Sequence, residues 1–177
     1  MQRRDLIIAP AGEAALILVA AAVGWATRQP LIFASLGPTA YELIETPERR
    51  SAQPYCVFVG HLVGVGAGFL AVWATGAWSV APVSAAGVPA ARVWSATLAA
   101  ALTVLGTLLL RASQPAATST TLLVALGLLQ SPRDAGLLMA GVVLMTILGE
   151  PLRRLRLRSR GQGEGAQEPR SALSGES

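Results

Sequence analysis

Long apolar stretches, separated by short polar connections, make up most of this chain. Residues 55–80 hold one histidine and no charged side chain, and residues 93–110 hold no ionisable group. A helix that crosses a bilayer needs about 20 apolar residues to match a hydrocarbon core about 30 Å thick. The pattern therefore predicts an all-α fold, a polytopic helical bundle in a membrane.

The apolar pattern divides into six segments, four long and two short. The long segments are predicted at residues 11–27, 54–78, 92–110 and 134–150, and the short ones at 30–45 and 115–130. A basic arm (1–10) precedes them, a loop without charge (79–91) joins the halves, and Pro151 is expected to end or kink the last segment. Beyond Arg160 the tail is polar and is predicted to be disordered.

The two short segments lie in matching proline frames that are offset by 85 residues. The frames are Gln29-Pro30 with Thr46-Pro47 and Gln114-Pro115 with Ser131-Pro132. The match predicts two pseudo-repeated halves, about residues 11–78 and 92–152, each with one short segment interrupted by Pro, Gly or polar residues. If all three segments of a half cross, the halves have opposite orientations, as in the inverted repeats of many secondary transporters.

The distribution of arginines favours a model in which all six segments cross. The net charge is +4, there is no lysine, and five of the 14 arginines lie between Arg153 and Arg160. With six crossings, Arg28, Arg92 and Arg133 lie outside and ten arginines lie inside. With two re-entrant segments, five arginines lie outside and eight lie inside. Cytoplasmic loops carry the arginine excess, so we predict six crossings of the cell (inner) membrane with both termini cytoplasmic. The basic cluster then contacts anionic lipid, and nucleic acid is excluded as a partner.

The first short segment is interpreted as a helix broken at Gly37-Pro38, and the second carries four successive hydroxyl side chains. Polar groups in hydrocarbon are costly unless they face protein, water or a solute. We therefore hypothesise a substrate path that comprises Ser35, Gly37, Thr39, Glu42, Gln114, Thr118, Ser119 and Thr120. The alternatives are a structural kink satisfied by local hydroxyls and, for Glu42, a place near the interface beside Arg49 or Arg50.

The third segment carries a ridge of small residues and the only histidine. Gly60, Gly64 and Gly68 recur every fourth residue, which places them on one helical face where another helix can approach closely. The partner is either another helix of this chain or a second copy, which would give a homo-oligomer. His61 lies beside the ridge, and its unperturbed pKa of about 6.5 suits a proton relay; the alternative is a satisfied packing histidine.

Enzymatic chemistry finds no support in the sequence. Cys56 and His61 are the only residues of their types. One cysteine excludes an intrachain disulfide and a CxxC metal site. A nucleophile with a histidine and an acid partner is also missing, as are a metal-binding cluster and a phosphate loop. We expect neither an enzyme nor a bound cofactor or metal.

Several motifs resemble those of the HPP family of integral membrane proteins. They are Ser35-Leu36-Gly37-Pro38-Thr39-Ala40, Pro47-Glu48, Ser51-Ala52-Gln53-Pro54 and Gly60-His61. The resemblance covers about residues 10–152, which makes 1–152 the HPP-like transmembrane domain and 153–177 a basic juxtamembrane segment with a tail. Where the family carries its His-Pro-Pro signature, this chain has Ser113-Gln114-Pro115, so no role of the signature histidine carries over.

The resemblance implies four spans and transport of a small anion, since plant and cyanobacterial relatives are implicated in nitrite transport. The sequence hypothesis is thus a small-solute transporter whose path runs between the two short segments. The alternative is a non-transporting structural, assembly or sensor module in the bilayer that associates through its glycine ridge. A transporter requires the hydroxyls of the path to line a polar cavity, whereas a module buries them against other helices.

Overall fold

The computed structural model describes residues 5–165, and helices make up most of this part of the chain. The helices are α1 (Asp5–Thr27), α2 (Leu36–Glu45), α3 (Pro54–Ala74), α4 (Val83–Ala86), α5 (Ala90–Leu109), α6 (Pro115–Ala125) and α7 (Pro132–Gly165). Four of them, α1, α3, α5 and α7, are long and apolar enough to cross a membrane. The predicted all-α membrane bundle with four long spans is confirmed.

The two short helices run through the bundle although each spans only about half of a bilayer core. Helix α2 has 10 residues and α6 has 11, which corresponds to about 15–16 Å at 1.5 Å per residue. Their flanking segments complete the passage. Gly24, near the end of α1, lies beside Leu31, while Gly12, near its start, lies beside Ile44. The chain from Leu31 to Ile44 therefore runs antiparallel to α1, from one end of it to the other.

Helix α6 makes the corresponding passage beside α3. Gly60 lies against Gln114 and Gly68 lies against Val124, so α3 and α6 run in the same direction. Gly106 of α5 lies against Val63, and Ala99 packs with Ala71, so α5 runs the opposite way. The six segments thus alternate in direction along the bundle.

The predicted break in the middle of the first short helix is wrong. Helix α2 begins at Leu36 and not at Pro30, and Gly37 and Pro38 occupy its first turn. The first backbone N–H groups of any helix have no intrahelical acceptor, so a proline there removes no hydrogen bond. Gly37-Pro38 therefore starts the helix. The peptide before it is nonhelical and includes a turn in which Leu36 N donates to Phe33 O (2.9 Å).

Other boundaries differ from the sequence prediction at prolines and in the polar ends. Helix α1 already begins at Asp5 and includes Pro10, so the basic arm is shorter than predicted. Helix α7 continues past Pro151 to Gly165 and does not end at the proline. Helix α3 ends at Ala74, because Gly76 adopts a left-handed conformation (φ 68°) that starts the following turn. The disordered tail was predicted for a region that lies largely outside the described residues.

The helices form two blocks, one of α1, α2 and α7 and the other of α3, α5 and α6. The third helix of each half of the chain thus packs with the other half. Helix α3 packs mainly on α5 and α6 of the second half, while α7 packs on α1 and α2 of the first. The blocks meet where α3 contacts α7. Leu36, Leu43, Val57, Leu138 and Met145 are large, buried members of the main apolar core. Each short helix is thereby enclosed by a long helix from the other half.

Helix α6 covers the glycine ridge of α3. A methyl group added at Gly64 would lie 2.6 Å from the Ala117 carbonyl oxygen, and one added at Gly68 would lie 2.7 Å from Val124 Cβ. At Gly60 the nearest atom would be Gln114 Cβ, also at 2.7 Å. The ridge is therefore an intrachain helix-packing surface. A second copy cannot reach it in this conformation, so the predicted homo-oligomer through these glycines is not supported.

A buried arginine binds the C-terminal carbonyls of each short helix. Arg156 Nε donates to Ile44 O of α2 (3.2 Å), and Arg92 Nη1 donates to Ala125 O of α6 (3.1 Å). The two arginines are 6% and 2% exposed. The last carbonyls of a helix have no intrahelical donor and carry the negative end of the helix dipole, so a cation there is stabilising. The end of α2 is thus anchored by α7, from the other half of the chain, and the end of α6 by α5, from its own half.

Arg156→Gln should destabilise the protein, while Arg158→Gln, an exposed site two residues further along α7, should leave stability almost unchanged. Loss of the charged donor to Ile44 O should lower the free energy of unfolding by about 1–2 kcal/mol. Thermal unfolding of the purified variants measures the difference. Equal stability of the two variants would show that the arginine does not anchor α2.

Candidate functional site

A chain of hydrogen bonds joins the two short helices through His61 at the centre of the bundle. Thr39 Oγ1 of α2 lies 3.0 Å from His61 Nε2, and His61 Nδ1 lies 2.6 Å from Thr120 Oγ1 of α6. Thr39 also donates to Ser35 O (3.0 Å). All four of these side chains are completely buried. In a neutral imidazole, one nitrogen donates a hydrogen bond and the other accepts one. His61 can therefore donate to one hydroxyl and accept from the other.

A second hydroxyl cluster lies beside the first and ties α6 to α3 and α5. Thr121 Oγ1 lies 2.6 Å from Thr103 Oγ1 and within 3.1 Å of Gly64 O. Because Gly64 has no side chain, the threonine of α6 reaches the backbone of α3 directly. This cluster is satisfied entirely within the protein. Its arrangement indicates a packing role for Thr103 and Thr121.

Several buried polar atoms of the predicted path have no hydrogen-bond partner among the described residues. They are Ser35 Oγ at the start of α2, Gln114 Nε2 at the start of α6 and Glu42 Oε2 near the end of α2. A buried polar group without a partner costs about 1–3 kcal/mol, and such groups in native proteins call for a specific explanation. These atoms are available to a water molecule or a solute.

The structure brings part of the predicted path together. Thr39 and Thr120 meet at His61, and Ser35 is joined to them through its carbonyl, which accepts from Thr39. Gly37, Thr118 and Ser119 are partly exposed on the same short helices. Glu42 accepts a hydrogen bond from Ser51 (2.9 Å) and does not pair with Arg49 or Arg50 in the described structure. Gln114 caps α6, because its Oε1 accepts from Ala116 N (2.9 Å). His61, predicted as a separate relay, is the residue that connects the two short helices.

Sequence reasoning missed the interior positions of Arg92 and Arg156. Both lie at the edge of an apolar segment, where an arginine is usually a loop charge or part of the cytoplasmic excess. Their burial depends on the position of the short helix whose carbonyls they bind, and tertiary packing determines that position. The shortness of segments 30–45 and 115–130 was the available signal, since short buried helices need partners for their ends.

The hydroxyls of the path are packed against protein groups. Four cavities of about 200–460 Å³ lie elsewhere on the described chain, and none of the four is lined by Ser35, Thr39 or residues 118–121. Thr39 and Thr120 instead occupy the hydrogen bonds of His61. The centre of the bundle is therefore closed in this conformation, and a solute would enter it only if these bonds open.

A family model described as HPP, transmembrane region, matches residues 1–159. The chain belongs to the HPP family. No curated protein and no solved structure matched it. The match includes all six segments, and it confirms the family resemblance and an integral membrane protein in contact with lipid. In this HPP protein, Ser113 is exposed, whereas His61 lies in the interior.

Proposed function

We propose that this HPP protein transports a small solute along a path that crosses the bundle at His61. The observation that carries the proposal is the buried hydrogen-bond chain from Thr39 through His61 to Thr120. It connects α2 and α6, which come from different halves of the chain, and short or interrupted segments in two halves are where transporters bind their substrates. We propose no catalytic role and no cofactor.

The chemistry of the site favours a small inorganic anion such as nitrite. Hydroxyls, an imidazole N–H and the amide of Gln114 can donate to anionic oxygens, and the start of α2 adds the positive end of a helix dipole. Ser35 Oγ and Gln114 Nε2 are donors with no acceptor among residues 5–165. Glu42, about one turn further along α2, is the acidic group that would take up a proton together with the anion. His61 would relay that proton.

The proposed transporter is an inverted repeat of α1–α3 and α5–α7 in the inner membrane. The alternating segments gather the described arginines into two sets, with Arg28, Arg92 and Arg133 at one end of the bundle and the others at the opposite end. The positive-inside rule assigns the richer end, with both termini, to the cytoplasm. The path then leads from the Arg92 end outside, past His61, to the Glu42 end inside.

Thr39→Val should reduce nitrite uptake into proteoliposomes at least about tenfold, because the site loses a hydroxyl that participates in binding. Thr97→Val is the matched control: Thr97 also donates to the carbonyl four residues earlier (2.9 Å) but is exposed on α5. It should transport like the wild type. Glu42→Gln should retain nitrite binding but lose the stimulation of uptake by a pH gradient.

A non-transporting membrane module remains the second candidate, and one observation favours it. Thr39, Thr120 and Thr121 already have protein partners, which is what a purely structural role requires. Well-folded wild-type protein that takes up neither nitrite nor related anions, with or without a pH gradient, would favour this candidate over transport.

A further inference from the structure

Arg92 is a buried cation without an acidic partner in the described structure. Its guanidinium donates from Nη2 to Val80 O (2.5 Å), from Nη1 to Ala125 O (3.1 Å) and from Nε to Ala81 O (3.4 Å). These acceptors are backbone carbonyls, and none carries a full negative charge. The carbonyls supply only partial negative charge, so an oxyanion beside the guanidinium would complete its neutralisation.

The guanidinium also keeps spare donors. A guanidinium has five N–H groups, and the three carbonyls occupy three of them. The two others belong to Nη1 and Nη2, the two nitrogens that form the planar fork with which arginine binds carboxylate, phosphate and similar oxyanions. Gly127 (φ 80°) permits this position, because a methyl group added there would lie 2.7 Å from Arg92 Nη2.

A cavity of about 200 Å³ lies at this point, and Arg92 is part of its wall. Gln130 is the other polar side chain in the wall, and its Nε2 donates to Gly127 O (2.9 Å), which leaves one amide N–H and the amide oxygen. Trp78 and apolar side chains form the remainder. Since one water molecule occupies about 30 Å³ in the liquid, the cavity has room for a small anion and several waters.

We propose that the Arg92 cavity is an anion-binding site, in which the guanidinium fork and the Gln130 amide hold the oxygens of a singly charged group. This group is either a free inorganic anion or the phosphate of an anionic lipid headgroup. The role of this site in transport rests on the proposed function, because a free anion bound here would lie at the entrance of the path to His61. The binding itself follows from the unpaired charge.

The test is a calorimetric titration with sodium nitrite of the full chain in nanodiscs of phosphatidylcholine. Arg92→Gln should weaken binding at least about tenfold, since a charge-assisted bond is lost. Arg133→Gln, the matched control, removes the same charge from an exposed site at the same end of the bundle and should bind like the wild type. Gln130→Ala, which leaves the arginine and its carbonyls in place, should weaken binding about threefold.

Nanodiscs with phosphatidylglycerol separate the two sources of the anion. Loss of nitrite binding in these nanodiscs, together with Arg92-dependent retention of the lipid, supports a headgroup; unchanged nitrite binding supports a free anion. Wild-type affinity for nitrite or lipid in a folded Arg92→Gln variant would overturn the site, as would a wild type that binds neither. If Arg92→Gln does not fold, unchanged binding in Gln130→Ala overturns it.

Uptake measured on the same variants separates this inference from the proposed function. Arg92-dependent binding without any uptake keeps the anion site and overturns transport. Uptake that is lost in Thr39→Val but unaffected in folded Arg92→Gln, with no Arg92-dependent binding, keeps transport and overturns the site.

Discussion

Gly64→Ala should destabilise the protein strongly, although it adds a single methyl group. The new Cβ would lie 2.6 Å from the Ala117 carbonyl oxygen and 2.9 Å from Thr121 Oγ1, so α6 would have to move away from α3. Overpacking of this kind typically costs about 1–3 kcal/mol, and contact with a backbone atom places this case at the upper end. For a chain of this size we expect the unfolding temperature to fall by roughly 10 °C.

Gly66→Ala provides the control on the same helix. A methyl group added at Gly66 meets nothing within 4 Å, and replacing glycine by alanine in a helix is otherwise stabilising by about 0.5–1 kcal/mol. Its unfolding temperature should equal or exceed that of the wild type. If Gly64→Ala were as stable as Gly66→Ala, α6 would not be packed on the glycine ridge.

His61→Leu should both destabilise the protein and abolish transport. Thr120 loses its partner at 2.6 Å, and Thr39 loses one of its two partners and keeps only the bond to Ser35 O. The expected loss in the free energy of unfolding is about 2–4 kcal/mol. Nitrite uptake should fall to the level of empty liposomes, since the proposed path loses its central group.

A triple variant, Thr39→Val with His61→Leu and Thr120→Val, separates the two effects. Replacing all partners of a hydrogen bond by apolar groups of similar shape can be nearly neutral, so the triple variant should regain about 1–2 kcal/mol over His61→Leu. Uptake should remain absent. Recovery of uptake together with stability would mean that the hydroxyls and the imidazole only hold the bundle together.

The sequence was sufficient for the long helices because their apolar runs are long enough to be unambiguous. It was also sufficient for the small face of α3, since glycines at every fourth position share a face in any helix. The start of α2 was misplaced because Gly37 and Pro38 fit a break within a helix and the first turn of one equally well. In the structure, α7 packs against the nonhelical peptide before α2, where Gly141 lies beside Leu31 O.

The sequence predicted the residues of the site but not the hydrogen bonds that join them. Ser35, Thr39, Thr120 and His61 were selected because polar groups in apolar segments need a reason to be there. That His61 bridges the hydroxyls of α2 and α6 depends on α3 lying between these helices, and the local pattern does not encode this. The role of Arg92 depends on the same arrangement, because its acceptors lie 11–33 residues away in the sequence.

The exchange of α3 and α7 between the halves has a consequence for biogenesis. After α3 has been synthesised, residues 75–114 must follow before α6 can cover its glycine face. Helices α1 and α2 wait longer, since α7 follows α6 in the chain. Domains usually fold as units in the order in which they are made, but neither half of this chain contains the packing partners of its own third helix. Neither block can therefore be completed in the membrane before the second half of the chain has been made.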